Sequence, residues 1–248
     1  MRLSSLLTGI IMTLASSFAA KAQGGLVEMP VPNLRDSYQE QVTLAYNAGL
    51  GRPHKLTPDE QKAVDDPDSP VIITYPLETK LNRSGKYFVV ACDSGGSDDF
   101  GCSFTAIGGA LDKNNHLPGL RFEIPGDNCV YASGHNDTMF NLRRKFCLDG
   151  DRLKEVKQPL HYVGLRSKTV RDLTFYSDLT LKTPVGTIPR GEFVEVLVAN
   201  IDQDSNAPSG LPTHNHFLVR DKRGLTGWVG LDETQEAQGV EGLFFAGD

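Results

Sequence analysis

Hydrophobic residues recur at helical spacing near the N-terminus of the chain. Two prolines at positions 30 and 32 precede this region, and Asn33 and Gly49 are suitable residues to cap and to end a helix. The apolar positions that fall on one helical face are Leu34, Tyr38, Val42, Ala45 and Tyr46. This spacing predicts a helix over residues 33–49.

A second, shorter helix is predicted after it. In Thr57-Pro58-Asp59-Glu60, threonine can cap the helix, proline suits its first position, and Glu60 can complete a capping box. We expect this helix to stop before Pro67, because proline cannot continue a helix.

From Val71 onward the pattern changes to short runs that are rich in β-branched and aromatic residues and are bounded by proline and glycine. Asp149-Gly150 is a typical two-residue hairpin turn. Another block of strands follows, from about residue 160 to about residue 233. The strands expected before that block are residues 71–75, 87–91, 103–107, 120–124, 128–132, 145–148 and 153–156. The chain is therefore expected to be mainly β, with a short helical lead.

The first 22 residues have the pattern of a signal peptide. Arg2 precedes an apolar stretch over residues 3–20, and Ala20-Lys21-Ala22 fits a signal-peptidase site before Gln23. The apolar stretch is too short and too interrupted for a membrane span. We expect an exported protein, periplasmic or secreted, with no membrane span after cleavage.

The charge of the chain argues against a nucleic-acid partner. The 248 residues carry a formal charge of -6, and loss of residues 1–22 removes Arg2 and Lys21 but no acid, which takes the charge from -6 to -8. Nucleic-acid binders need a basic surface. The densest basic run is residues 143–145, Arg-Arg-Lys, for which we favour a charged strand edge over a site for an anionic envelope polymer.

Four cysteines in an exported chain indicate disulfide bonds, because the compartment is oxidising. Cys92, Cys102, Cys129 and Cys147 allow three connectivities, and the sequence alone leaves them open. The polar stretches that each consecutive pair brackets favour Cys92–Cys102 and Cys129–Cys147. Residues 23–160 are accordingly expected to form a disulfide-bearing antiparallel β domain.

Five short segments of the C-terminal third, in three groups, carry a family resemblance. They are Thr174–Asp178 followed by Val185–Ile188, then Pro189–Leu197 with its Arg-Gly turn, and finally Phe217–Arg220 followed by Gly224–Val229. In order and spacing these segments resemble a bacterial SH3-like domain. The resemblance implies a small β-barrel over residues 161–248.

The resemblance also implies a ligand. It indicates that the domain binds peptidoglycan or a peptide, contacted by Tyr176, Phe217 and Trp228 on one face. We therefore expect a non-enzymatic envelope protein that binds or scaffolds. No cofactor is expected and no metal, although His214 and His216 fall on one face of a strand.

Two other functions are open. SH3-like domains often accompany cell-wall cysteine hydrolases, and Cys129 lies near His135 in the sequence. Such an enzyme needs an unpaired cysteine of low pKa beside a histidine. The third hypothesis is a periplasmic inhibitor or immunity protein, which would present the disulfide loop 93–101 to the active site of a partner.

Overall fold

A computed structural model describes residues 25–35, 40–95, 99–108, 115–135, 138–202, 214–231 and 239–244. The expected signal peptide, residues 1–22, lies outside this set. Within the described ranges, no helix is both long enough and apolar enough to span a bilayer.

The protein is mainly β, as predicted, and its strands form three sheets. The first unit holds β1 Leu26–Arg35, β2 Gln41–Asn47, β3 Gly51–Pro53, α1 Pro58–Val64, β4 Ile73–Lys80, β5 Tyr87–Asp93, β6 Gly101–Ala106, β7 His116–Pro118, β8 Arg121–Ile124, β9 Cys129–Gly134, β10 Leu142–Asp149 and β11 Arg152–Glu155. The C-terminal unit holds β12 His161–Lys168, β13 Leu173–Tyr176, β14 Pro184–Ile188, β15 Phe193–Asp202, β16 His214–Arg220 and β17 Thr226–Leu231.

Two sheets enclose the core of the first unit. One has the order β1-β2-β8-β9-β10-β11 and the other the order β3-β4-β5-β6-β7. Neighbouring strands are antiparallel except β2 and β8, which are parallel. Their buried side chains form one cluster, which includes Leu44, Val90, Phe104, Phe122 and Val130.

The helix expected over residues 33–49 is wrong, because β1 and β2 form an antiparallel pair there. Val42 and Leu44 are both fully buried on β2, which is the two-residue period of a strand. Asn33, the expected cap, has a positive φ of 62°. β1 is an edge strand, where proline costs no ladder hydrogen bond on the open side.

The second predicted helix is confirmed as α1, and it makes up the whole helical lead among the described residues. The Thr57 side chain accepts from the backbone N–H of Glu60, and the Glu60 carboxylate accepts from the backbone N–H of Thr57. Both halves of the capping box are therefore present. None of its residues is buried, so capping and local ion pairs hold the helix rather than core packing.

Both disulfide bonds that spacing favoured are present, Cys92–Cys102 and Cys129–Cys147. Cys92 is the direct cross-strand partner of Cys102 on β5 and β6, and Cys129 is that of Cys147 on β9 and β10. Each bond therefore ties a hairpin of neighbouring strands. Strand predictions from Val71 onward also hold, with boundaries moved by a few residues.

The C-terminal unit is one sheet of order β12-β15-β16-β17-β13-β14, with antiparallel pairs throughout. Its inward side chains form a second buried cluster, which includes Phe175, Val196, Phe217, Val219 and Val229.

The two cores do not divide at residue 160. Leu142, at the start of β10, packs with the second cluster, whereas Phe146 on the same strand packs with the first. Met139 and Phe140 also belong to the second cluster. The ring of Phe140 meets that of Phe217 edge to face, with 5.9 Å between centroids. Strand β10 therefore supplies side chains to both units.

Candidate functional site

Two of the three predicted ligand-contacting residues lie side by side on the outer face of the C-terminal sheet. Tyr176 on β13 is the cross-strand partner of Trp228 on β17. Both side chains are half-buried, while their neighbours Phe175, Gly227 and Val229 are buried. Alternation along each strand therefore points the two rings away from the core.

Strand register extends this pair into a row that crosses the sheet. Trp228 is paired with Leu218, Leu218 with Val198, and Val198 with Tyr162. We call the set Tyr162, Val198, Leu218, Trp228 and Tyr176 the outer-face row. Tyr162 is 63 % exposed, and none of the five belongs to the second core cluster or packs against it. The row is an apolar, partly solvent-exposed strip on the sheet surface.

Phe217, the third predicted contact, is not on this surface. Its side chain is fully buried in the second core cluster, because odd-numbered positions of β16 point inward and Leu218 points outward. Phe217 therefore supports the sheet from below instead of contacting a ligand, and Leu218 takes its place on the outer face.

Tyr162 is positioned by a local irregularity in β12. The register between β12 and β15 shifts between Tyr162 and Leu165, and Gly164 within the shift has a φ of 69°. A Cβ at position 164 would lie 2.5 Å from Cζ of Tyr162. The ring therefore occupies the space that glycine leaves open. The guanidinium of Arg143 lies 5.6 Å from the ring centroid.

A charged row runs beside the outer-face row. Arg166 is paired with Glu195, and Glu195 with Arg220, to which it is also ion-paired. Phe193 is 51 % exposed there and has the charged ends of Arg166 and Lys168 within 5.7 Å of its ring. A groove of about 610 Å³ lies against these residues. Anionic groups of a ligand on the outer-face row would meet arginine on this side.

The structure contradicts the free thiol that a cysteine hydrolase requires. All four cysteines are described and none is free. Cys129 is bonded to Cys147. His135 follows β9, where its Nε2 atom lies 2.8 Å from the carbonyl oxygen of Phe244 and its ring stacks on Phe244. In the oxidised protein, Cys129 is therefore not a nucleophile and His135 serves as a contact between the units.

The loop considered for an inhibitor is only partly within the described residues. Residues 96–98 lie outside them. Where β5 leads into the loop, the backbone N–H of Ser94 donates to the carbonyl oxygen of Ile72, and Oδ1 of Asp93 accepts from the backbone N–H of Gly95. Nε2 of His116 lies 3.4 Å from Oδ2 of Asp93. These contacts fix the base of the loop to the sheet.

Sequence reasoning missed one organised cluster, which is centred on His54. Nε2 of His54 lies 2.8 Å from Glu60, and Nδ1 lies 2.9 Å from Glu78. Only 5 % of the His54 side chain is exposed. Arg52 in turn forms an ion pair with Glu78. Glu78 is 24 positions from His54, so no local spacing indicates the contact, and the pairing of β3 with β4 creates it.

The three titratable groups of this cluster, His54, Glu60 and Glu78, shift one another's pKa values. Burial opposes the charge on His54, but its hydrogen bonds to Glu60 and Glu78 outweigh that effect and raise the pKa of His54. Burial likewise opposes the charge of both glutamates, while hydrogen bonds from Thr57 and His54 lower the pKa of Glu60, and those from His54 and Arg52 lower the pKa of Glu78. The hydrogen bonds of the cluster therefore favour the charged form of each of the three groups.

A cavity of about 410 Å³ adjoins the cluster. Its walls combine the polar His54, Glu60 and Tyr75 with the apolar Val89 and Ile107. Both ring nitrogens of His54 are already hydrogen-bonded to carboxylates. The cluster therefore fastens β3, α1 and β4 together.

The comparisons with known proteins give no relative from which a role could be carried over. No family model, no curated protein and no solved structure matches the chain. Within the described part of the chain, no three histidine, cysteine or carboxylate side chains form a group that could hold a metal. The outer-face row is taken as the candidate site because its side chains form a continuous, apolar and partly exposed strip across five strands.

Proposed function

We propose that this chain is a non-enzymatic, exported cell-envelope protein that binds peptidoglycan through the outer-face row of an SH3-like C-terminal unit. The N-terminal segment, residues 1–22, supports export. Two disulfide bonds support it too, because such bonds persist in oxidising compartments such as the periplasm or the extracellular space.

The observation that carries the proposal is the continuity of the row. Five outward side chains on five neighbouring strands lie at consecutive cross-strand positions. With strands about 4.8 Å apart, four steps span about 19 Å. A strip of this length with a tyrosine at each end and a tryptophan within it suits an extended ligand, since sugar rings stack on aromatic faces.

A glycan strand fits this surface better than an extended peptide does. Peptides that add to a sheet do so along an edge strand, by backbone hydrogen bonds. The row instead crosses the central strands β15, β16 and β17, which already have neighbours on both sides. Peptidoglycan also carries carboxylates on its peptide stems, and Arg166 and Arg220 lie beside the row to meet them.

The test is co-sedimentation of the oxidised mature protein with purified peptidoglycan sacculi. We expect the mature protein to sediment with the sacculi, and Trp228→Ala and Tyr176→Ala each to reduce the bound fraction at least fivefold. Tyr131→Ala is the matched control, because Tyr131 is a half-buried tyrosine on β9, in a different sheet from the row.

Loss of binding in all three variants would mean that the substitutions act through folding, and circular dichroism of each variant separates that case. Failure of the unsubstituted protein to sediment would overturn the peptidoglycan proposal. Equal binding by Trp228→Ala and by the unsubstituted protein would overturn the assignment of the row.

A further inference from the structure

Arg144 lies between the two hydrophobic cores, where no carboxylate of the described residues is close enough to pair with its positive charge. It shares a face of β10 with Leu142 of the second cluster and Phe146 of the first. Its guanidinium donates to the carbonyl oxygen of Pro118 at 3.1 Å and lies 5.7 Å from the ring centroid of Phe146. Among the described residues, no carboxylate is within ion-pair distance of it.

The environment opposes the charge on this arginine. Burial lowers the pKa of Arg144, and the more distant carboxylate of Glu155 offsets that effect only in part. Arg144 is half-buried, and a guanidinium removed from water is favoured by a carboxylate or phosphate partner, since desolvation of an uncompensated charge costs free energy. The position of Arg144 therefore calls for a counter-ion.

An unsatisfied polar atom lies close to Arg144. His161, at the start of β12, has a buried Nδ1 atom with no hydrogen-bond partner. Burial lowers the pKa of His161; a hydrogen bond to the backbone of Arg143 and the charge of Glu155 offset this only in part, and the charge of Arg144 adds to it. Arg144 and His161 both line a cavity of about 250 Å³ at the junction of the units, together with Lys157 and Glu155.

We propose that this cavity, the junction cavity, binds a small oxyanion, a carboxylate or a phosphate group, between Arg144 and His161. Arginine presents paired N–H donors that match such an anion. His161 Nδ1, in the tautomer that carries its proton there, would donate to the same anion, and Lys157 would add a second positive charge to that of Arg144. Glu155 is the one carboxylate among the lining residues, so the anion restores charge balance between the cores.

This site is separate from the outer-face row, and its test does not depend on peptidoglycan binding. The thermal unfolding midpoint of the mature protein would be measured against inorganic phosphate and, separately, against acetate, with sodium chloride at matched ionic strength. We expect a saturable rise with at least one oxyanion and none with chloride, because a ligand of the folded state raises stability by mass action. The oxyanion that acts at the lower concentration identifies the chemistry.

Substitutions connect the effect to the junction cavity. Arg144→Met is expected to abolish the rise, and His161→Gln to weaken the apparent affinity at least fivefold. Lys145→Met is the matched control, because it removes the same charge from the next residue of β10, which lies on the opposite face over the ring of Tyr131. We expect it to keep the rise unchanged.

Two results would overturn the proposal. One is the absence of a saturable rise with both oxyanions in the unsubstituted protein. The other is a full rise in Arg144→Met. If Arg144→Met does not fold, Arg144→Lys replaces it: this variant keeps the charge but loses the paired donors, and the proposal requires its affinity to fall at least fivefold.

Discussion

The ring of Phe175 fills the space that residue 227 would need for a side chain. A Cβ at position 227 would lie 2.6 Å from Cδ2 of Phe175 and 2.6 Å from the backbone oxygen of Tyr176. Gly227 thus lets β17 approach β13 closely enough for Trp228 and Tyr176 to become cross-strand partners. The surface that we propose for ligand binding depends on a missing side chain in the core beneath it.

This relationship predicts that Gly227→Ala destabilises the C-terminal unit. The added methyl group meets backbone as well as a ring, so it cannot be accommodated by a rotamer change alone, and overpacking of this kind costs about 1–3 kcal/mol. Urea unfolding would measure the loss. Gly186→Ala is the control, because its Cβ would lie 3.1 Å from the same Phe175 ring and touch no backbone. A loss as large for Gly186→Ala as for Gly227→Ala would contradict this explanation.

The position of Tyr162 predicts a separable effect of Gly164. Gly164→Ala forces the tyrosine ring away from β12 and also adds backbone strain, because its φ is 69°. Gly191→Ala adds the same kind of strain at a φ of 80° but meets no neighbouring atom. Strain should cost Gly191→Ala about 1–2 kcal/mol of stability, and Gly164→Ala should lose at least as much, because it also displaces the ring. Only Gly164→Ala should weaken sedimentation with sacculi, and equal weakening by both would show that strain, not the ring, is responsible.

The His54 cluster predicts a pH-dependent contribution to stability. The pKa of His54 is raised from 6.5, so its contribution is complete below pH 6.5 and is lost as the pH rises through the folded-state value. The pKa values of Glu60 and Glu78 are lowered from 4.5, so their contributions are complete above pH 4.5 and are lost as the pH falls through the folded-state values. The cluster therefore stabilises the fold most between these limits.

His54→Gln should accordingly cost about 2 kcal/mol between pH 5 and pH 6, the scale of hydrogen bonds to charged groups, and less by pH 9. Urea unfolding of both proteins across that range gives the difference. His116→Gln is the control. Like His54, His116 lies near a carboxylate, with Nε2 3.4 Å from Oδ2 of Asp93, but its side chain is 33 % exposed. A cost for His54→Gln that does not change with pH would refute the charged arrangement.

The disulfide bonds predict how far the free energy of unfolding falls when they are removed. Cys129–Cys147 closes a loop with a sequence separation of 18, and Cys92–Cys102 one of 10. In the chain-entropy model each is worth about 3 kcal/mol, slightly more for the longer loop. We expect Cys129→Ser with Cys147→Ser to lower the unfolding free energy by that amount. A loss below about 1 kcal/mol would mean that strand pairing alone holds β9 to β10.

Local patterns predicted most of the fold, and long-range contacts account for what they missed. Strands β4 to β6 and β8 to β11, the capping box of α1 and both disulfide bonds follow from neighbouring residues, whereas the short strand β7 was not predicted. The interpretation of residues 33–49 as a helix was wrong because Ala45 and Tyr46 also fit helical spacing, while the buried Leu44 that marks a strand was left out.

The candidate site was predicted only in part, again because long-range contacts determine the rest of it. Trp228 and Tyr176 came from a resemblance carried by short motifs. Phe217 was misplaced by one residue, because an SH3-like motif does not say which residues of a strand face the core. Tyr162, Val198 and Leu218 could not be found at all without the register of β12, β15 and β16, since that register brings together residues up to 66 positions apart, from 162 to 228.

Strand β10 couples the unfolding of the two units. With Leu142 in one hydrophobic core and Phe146 in the other, melting of either unit withdraws apolar contacts from its neighbour. We therefore expect the two units to unfold in a single cooperative transition. A transfer of the C-terminal unit to another protein would also have to include residues 139–142. A cut at residue 160 would remove Phe140, whose ring packs on that of Phe217.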